Sequence, residues 1–528
     1  MQSRDFPGAR PRCRSRRLWR GAGAALIALA LSSGVAQATV YYVDNSCTTG
    51  GTGRSPVCNQ SDGPFRSIAA AMGAPLAPGD VIKVRATAQA YTEATVTTPV
   101  AGTSVAPIVI TRYDGDTGRP VWRASSDELV NFTRAYWVVE HVEMDGNGVG
   151  ADIISVNAQN VTVRDCVIHN NTNDAVSIGA AGDDFTISDC EIYDVGAGGD
   201  RHAITTGRES GDAINYVVTG VRILNNVIHD IGGDCIQFLE SSGDCRVATV
   251  TGLIDGNVMR KGSRVGHENA IDVKTKALAN DPLIISRNVI TGWDGSSTAE
   301  GNRAVVIQHC ADYAKFRYNF VQSDGPGNEG LSCNPCMGVN VSASTATAAT
   351  PVVGVEVVGN TFVGMRDAIE IGDGTSQTAH RDLKVLHNTA YRVSRAMFRI
   401  KGPVTQGEFR NNLSASGPGV SCSSGGDLTG SVWSHNGWFG DASQQSSCSG
   451  CSVGNLCDAT DVRGSDPLFV NPAAGDFRLQ STSPCIDRGT PVGLPYLGAA
   501  PDLGAQEFQG ALADIFAPAA IRDLIGGP

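Results

Sequence analysis

Between positions 234 and 309 the sequence gathers Asp234, Glu240, His267, Glu268, Asp272, Lys274, Lys276, Arg303 and His309. Carboxylates, lysines and a guanidinium at that density can move protons and hold cations. Asp234, Glu268 and Asp272 offer hard oxygen atoms of the kind calcium takes. A lysine crowded by other charged groups can lose its proton near neutrality, so Lys274 is the expected base, with Lys276 in reserve. Arg303 would clamp a carboxylate, and His309 would protonate a leaving oxygen. Proton removal beside a carboxylate requires that carboxylate to be neutralised, by calcium or by arginine. Together these groups suit β-elimination in a uronic acid polymer.

Such residues act together only if the fold brings them together, and an internal repeat predicts that it does. Asn226, Asn257, Asn288 and Asn319 recur every 31 residues, each followed by apolar residues. Asn360, Asn388 and Asn412 continue the series, and Cys166 and Cys190 hold the same place earlier. A recurrence of this length marks a solenoid, which stacks equivalent residues over one another. A second register repeats polar, small, apolar, variable, apolar: Asp174–Ile178, His202–Thr206, Asp234–Phe238, Asn269–Val273, Arg303–Ile307, Met337–Val341 and Asp367–Ile371. That alternation reads as short strands. The variable positions, Ser177, Thr205, Gln237, Asp272, Val306 and Glu370, are expected to face outward. Asp234, Asn269 and Arg303 then open three consecutive charged coils. His169, Tyr193 and His229 form another column, expected to stack on the surface.

Over residues 131–415 this pattern resembles the right-handed parallel β-helix of the pectate-lyase-like superfamily, in which stacked asparagines form a ladder at an inner turn. The resemblance implies an all-β solenoid. It leaves the activity open, because that fold carries many activities. Residues 39–130 hold a short strand at Tyr41–Asp44, a short helix within Gly63–Met72 and a strand at Val81–Val84. They resemble the opening of secreted β-helix polysaccharide lyases, where a helix covers the first coil. Residues 416–510 are read as Cys/Ser/Gly-rich coils and a closing segment, and the stretch from Asp466 to Gly504 resembles the closing segment of the same proteins. A tail follows over 511–528. Gly is 63 of 528 residues and aromatics are 6%, as frequent turns and a narrow interior require.

Residues 1–38 read as a secretory signal peptide: arginines, an apolar run over 21–31, and Ala36-Gln37-Ala38. The chain is therefore expected to be secreted or periplasmic, without a membrane span. Removing seven arginines and Asp5 from 41 basic and 53 acidic side chains leaves 34 and 52, a formal charge of −18. Nucleic acid is excluded as a partner on that balance. An acidic polysaccharide is the expected partner, and it requires a local cationic stripe or bridging calcium. The protein is expected to be a monomer. Fourteen cysteines remain, an even number fitting disulfides. Expected links are Cys47 with Cys58 and Cys235 with Cys245, with Cys333 and Cys336 near Cys310. Cross-links are also expected among Cys422, Cys448, Cys451 and Cys457, and Cys166 and Cys190 are expected as buried thiols.

Other readings remain open at this point. The charged coils could form a salt-bridge ladder on an adhesion scaffold. A uronate epimerase would use nearly the same groups. Asn171-Thr172-Asn173-Asp174, Gly266-His267 and Arg399-Ile400-Lys401 resemble fragments of family 28 glycoside hydrolases, but the paired aspartate that hydrolysis needs is missing from the sequence pattern.

Overall fold

The computed structural model describes residues 38–509, except 198, 207–215, 240–247, 263–266, 294–302, 310, 324–335, 344–350, 373–378, 418, 423–425, 441–457 and 465. Among the residues singled out from the sequence, the leader before Ala38, the tail, Glu240, Gly266, Cys245, Cys310, Cys333, Cys448, Cys451 and Cys457 lie outside the described residues.

Each coil lays one short strand into each of three long parallel sheets. The first sheet has 14 strands, from Val40–Val43 to Val432–Ser434. The second has 14, from Tyr91–Glu93 to Val462–Gly464, and the third has 12, from Val96–Thr97 to Val420–Cys422. Successive strands within each sheet come from successive coils, so the chain is a right-handed parallel β-helix, as the repeat predicts. In one coil Thr249–Asp255, Val258–Arg260 and Ile271–Val273 supply the three walls. Ile254, Met259, Ile271 and Val273 point inward and are fully buried. The small residue before each third-sheet strand has a packing cause. At Gly338 an added Cβ would stand 2.4 Å from the Ala368 carbonyl oxygen and 2.5 Å from the Phe362 ring.

The asparagine ladder closes the turn between the first two sheets. The Asn288 side chain donates to the Ile254 carbonyl at 3.0 Å and to Asn319 Oδ1 at 2.9 Å. It accepts from the Asn257 backbone and side-chain N–H groups, both at 2.9 Å. The ladder runs beyond the expected series to Asn436, whose N–H meets Asp461 Oδ1 at 2.9 Å. At its other end Cys190 N–H donates to Asn226 Oδ1 at 3.0 Å, and Cys166 N–H reaches Cys190 Sγ at 3.4 Å. Both cysteines are buried thiols, as expected.

The expected helix is present but shorter, over Ile68–Met72. Ser67 caps it, and the Glu93 carboxylate accepts from the Ile68 and Ala69 N–H groups at 2.6 and 2.8 Å. The expected Cys47–Cys58 disulfide is formed. Cys336 and Cys422 are also disulfide-bonded. Cys235 corrects the expected link to Cys245: it is a free thiol with no exposed surface, packed among the inward residues. No helix among the described residues is long and apolar enough to cross a membrane. After the last coils the chain folds back. Phe469, Phe477 and Leu479 cluster with Phe320 and Leu413, and Asn411 Nδ2 donates to the Thr490 carbonyl at 2.8 Å.

Candidate functional site

The third sheet aligns the outward column as the alternation predicts. Ser177, Thr205, Gln237, Asp272, Val306, Asn340, Glu370, Arg399 and Ser421 are successive register partners. The wall was expected to face solvent, yet Gln237, Asp272, Asn340 and Glu370 are each at most 3% exposed. Polar groups so placed must be hydrogen-bonded or paired, and here they are.

Asp272 has the most relevant surroundings. Lys274 Nζ stands 2.7 Å from its Oδ2, and Gln308 Nε2 stands 3.2 Å from its Oδ1. Burial pushes the Asp272 carboxyl above the ordinary carboxylate range, against the opposing pull of Lys274, Gln308 and His309. The charge of His309 therefore reaches Asp272. Asp234 is pushed up as well, first by complete burial and then by the charges of Asp272 and Glu268. The two carboxyls sense one another from adjacent coils, so a pair hidden by 38 residues of sequence exists after all.

The lead residues have a role that the sequence reading missed. Asp174 Oδ1 accepts from the His202 N–H at 2.6 Å, and His202 Nδ1 accepts from the Asp234 N–H at 3.0 Å. Asp234 Oδ1 accepts from the Asn269 N–H at 2.7 Å, and Asn269 Nδ2 donates to the Arg303 carbonyl at 2.6 Å. This is a second ladder, built from mixed side chains. Its signal was the polar residue that opens each third-sheet strand.

That ladder and the Lys274 contact engage two members of the expected calcium set. Asp234 Oδ1 is taken by the Asn269 N–H and its Oδ2 by Gln237 Nε2 at 2.9 Å. Asp272 is engaged by Lys274 and Gln308. Calcium takes six to eight oxygen ligands, and two of the three expected carboxylates already serve protein donors. Among the described residues near the site, the group whose ligand atoms lie within 4.8 Å of one another is Asp200, His202 and Asp234. It retains one of the three expected residues, and its histidine nitrogen suits borderline metals better than calcium.

Arg303 and Lys276 also depart from expectation. Arg303 opens its strand, and its Nη2 lies 3.7 Å from Glu370 Oε1. Lys276 acts on Asp312 instead of Asp272. Glu268 accepts from Trp293 Nε1 on its backbone at 2.7 Å. His267 packs edge-on to Trp293 and is pushed down to about 4 by burial, which makes it a neutral core residue.

Further along the same sheet lies a group that the sequence left scattered. Buried Glu370 receives Asn340 Nδ2 at 3.1 Å, Lys401 Nζ at 3.4 Å and Arg303 at 3.7 Å. Arg395 grips Asp367, its Nε donating at 2.7 Å, and lies 3.9 Å from Glu370. Arg399, the register partner of Glu370, donates to Ser421 Oγ at 2.6 Å. Three cations, Arg303, Arg395 and Lys401, thus face two carboxylates, with Arg399 beside them in the column. The column His169, Tyr193 and His229 is stacked as expected, with centroids 5.0 and 5.3 Å apart.

No protein-family model and no curated protein matches this chain. Several solved structures do. The pectate lyase Pel9A is 18% identical, covers 90% of this chain and 98% of its own, and has a TM-score of 0.43. A family 28 exopolygalacturonase from Yersinia enterocolitica is 11% identical over 74% of this chain and 79% of its own, with a TM-score of 0.47. An alginate lyase from a Paenibacillus species is 16% identical over 66% and 90%, with a TM-score of 0.33. The likeness is one of fold. The chemistry must be argued from this chain's own residues.

Proposed function

We propose that this protein is a secreted carbohydrate-active enzyme that cleaves a uronic-acid-containing polymer by β-elimination along its third sheet. The observation that carries the reading is the 2.7 Å contact of Lys274 with buried Asp272, on the same wall as a cation-rich group. In a dry site an ion pair and its neutral form draw closer in energy, because desolvation penalises both charges. With the shared proton on Asp272, Lys274 Nζ is a free amine and can take the proton beside the uronate carboxylate. Asp272, as the acid, then shares its proton with that carboxylate, the neutralising role first assigned to Arg303. The electron pair forms the new carbon–carbon double bond and expels the glycosidic oxygen, which His309 protonates. Arg303, Arg399 and Lys401 hold carboxylates of neighbouring sugars.

The test incubates the mature protein with pectate, alginate and chondroitin, with and without calcium, and follows the ultraviolet absorbance of the unsaturated uronate. Lys274→Ala is expected to lower the rate by roughly 10²–10⁴-fold, the usual worth of a general base. A rise in absorbance unchanged in Lys274→Ala refutes the assignment.

The raised pair Asp234 and Asp272 favours a second reading, hydrolysis, in which one carboxyl acts as acid and the other activates water. Against it, both Asp234 oxygens are engaged and none of its surface is exposed. New reducing ends without absorbance would select that reading. Silence on every polymer would select a scaffold.

A further inference from the structure

The left-handed turn before each ladder asparagine shows where the chain departs from its own rule. That position is held by Asp165, Asp189, Asn225, Gly256, Arg287, Tyr318, Gly359, His387, Asn411 and His435, all with φ between 47 and 69°. Asp, Asn and Gly tolerate this backbone, whereas bulky side chains adopt it at a cost. Arg287 and Tyr318 are bulky, adjacent in the stack, and flanked by Gly256 and Gly359. At Gly359 an added Cβ would stand 2.6 Å from two carbons of the Tyr318 ring. The glycine therefore seats the ring while half of the residue, 50%, stays exposed.

All four positions line one cavity of about 630 Å³, roofed by the C-terminal segment that folds back over the second sheet. Its volume falls within the roughly 300–1,000 Å³ of small-molecule sites. Its apolar floor includes Phe320 and Phe477, with centroids 6.4 Å apart. Its charged side chains are engaged within the protein, and its two arginines each meet an aspartate. Arg287 grips Asp255, with Nε at 2.9 Å. Arg478 bonds both Asp476 oxygens at 2.8 and 2.6 Å. Glu507 accepts the Leu497 and Asp502 N–H groups, both at 3.1 Å. What remains to meet a ligand is neutral: the Tyr318 phenol, the amides of Gln506 and Gln509, and aromatic carbon. An anionic ligand would find no surplus of positive charge, because both arginines are paired with aspartates. A pyranose has apolar C–H faces for the rings and hydroxyls for the amides.

We infer that this cavity is a binding site for a neutral sugar, on a different wall from Asp272 and Lys274. It would hold one or two neutral units of a glycan, such as side chains of the polymer, independently of any reaction on the third sheet.

The test is calorimetry and saturation-transfer NMR on the mature protein with neutral tetrasaccharides of galactose, arabinose, xylose, glucose and mannose, and with tetragalacturonate. At least one neutral probe is expected to bind. Tyr318→Ala should weaken it about ten-fold, equivalent to ~1.4 kcal/mol, and Tyr318→Phe should largely retain it. Gln506→Ala is the second variant should Tyr318→Ala fold poorly. Lys274→Ala should leave this binding unchanged, which separates failure here from failure of the lyase reading. The inference is overturned if no neutral probe binds, if only tetragalacturonate does, or if both Tyr318→Ala and Gln506→Ala bind as the parent does.

Discussion

Replacing Asn288 by alanine tests the ladder at its centre. The side chain takes part in four hydrogen bonds, all buried. Their loss is not equal. Asn257 Nδ2 keeps the Ile223 carbonyl at 2.8 Å, and Asn319 Oδ1 keeps the Asn288 N–H at 3.0 Å. The Asn257 N–H and the Ile254 carbonyl lose the side-chain partner that served them. The Ile254 carbonyl stays within a paired strand, so the one orphaned buried group is the Asn257 N–H, and the substitution should cost about 1–3 kcal/mol. Because neighbouring coils support one another, the damage should centre on the coils from 254 to 319. Hydrogen exchange read by mass spectrometry measures it as lost protection in those coils, beside a lowered thermal midpoint. A cost below about 1 kcal/mol, or deprotection spread evenly over all coils, would mean that backbone pairing alone holds the solenoid and that the ladder is incidental.

Two further predictions concern protons. The folded pKa of Asp234 is raised, so between the ordinary carboxylate value and that raised value the native state binds more protons than the unfolded chain, and stability falls as pH rises. Asp234→Asn should flatten that slope and raise the thermal midpoint at pH ~8 relative to pH ~5, and an unchanged slope would count against the burial argument. His387 is pushed down to about 4 by burial, so the unfolded chain binds the extra proton and stability is lost as pH falls from 6.5 towards 4. That loss is worth about 3 kcal/mol, and His387→Gln should remove most of it in urea titrations. A parent protein equally stable at both ends of that window would refute the assignment.

The fold was legible because one requirement repeats. A buried turn needs a side chain that both donates and accepts, and Asn supplies both, so its spacing announces the coils. The outward column was legible for a similar reason, since strands alternate with period two and Gln237, Asp272 and Glu370 fell where the alternation placed them. Side-chain direction was not legible. Arg303 occupies the expected rung, but Glu370, 67 residues away, decides where its guanidinium points. The ladder role of Asp234 was not legible, because a lead carboxylate can serve a neighbouring backbone N–H as readily as an ion, and nothing local to Asp234 says which. The sugar cavity depends on Ala505 meeting Thr389 across 116 residues, a contact that no repeat encodes.

The two charged groups of the third sheet constrain one another. Asp272 and Glu370 stand three strands apart in one column, roughly 14 Å at 4.8 Å per strand. A polyanion laid along the column would be drawn to Arg303, Arg399 and Lys401 and repelled by Asp234 and Asp272 if these were ionised. Burial raises the pKa of both carboxyls, which would weaken that repulsion at the proposed cleavage position. In the proposed mechanism the same shift would leave the Lys274 amine neutral. One physical cause, desolvation of the outward wall, thus admits the anionic chain and arms the base that would attack it. Opening the wall to water should therefore lower substrate affinity and turnover together, whereas removing Lys274 alone should lower turnover and leave affinity close to that of the parent.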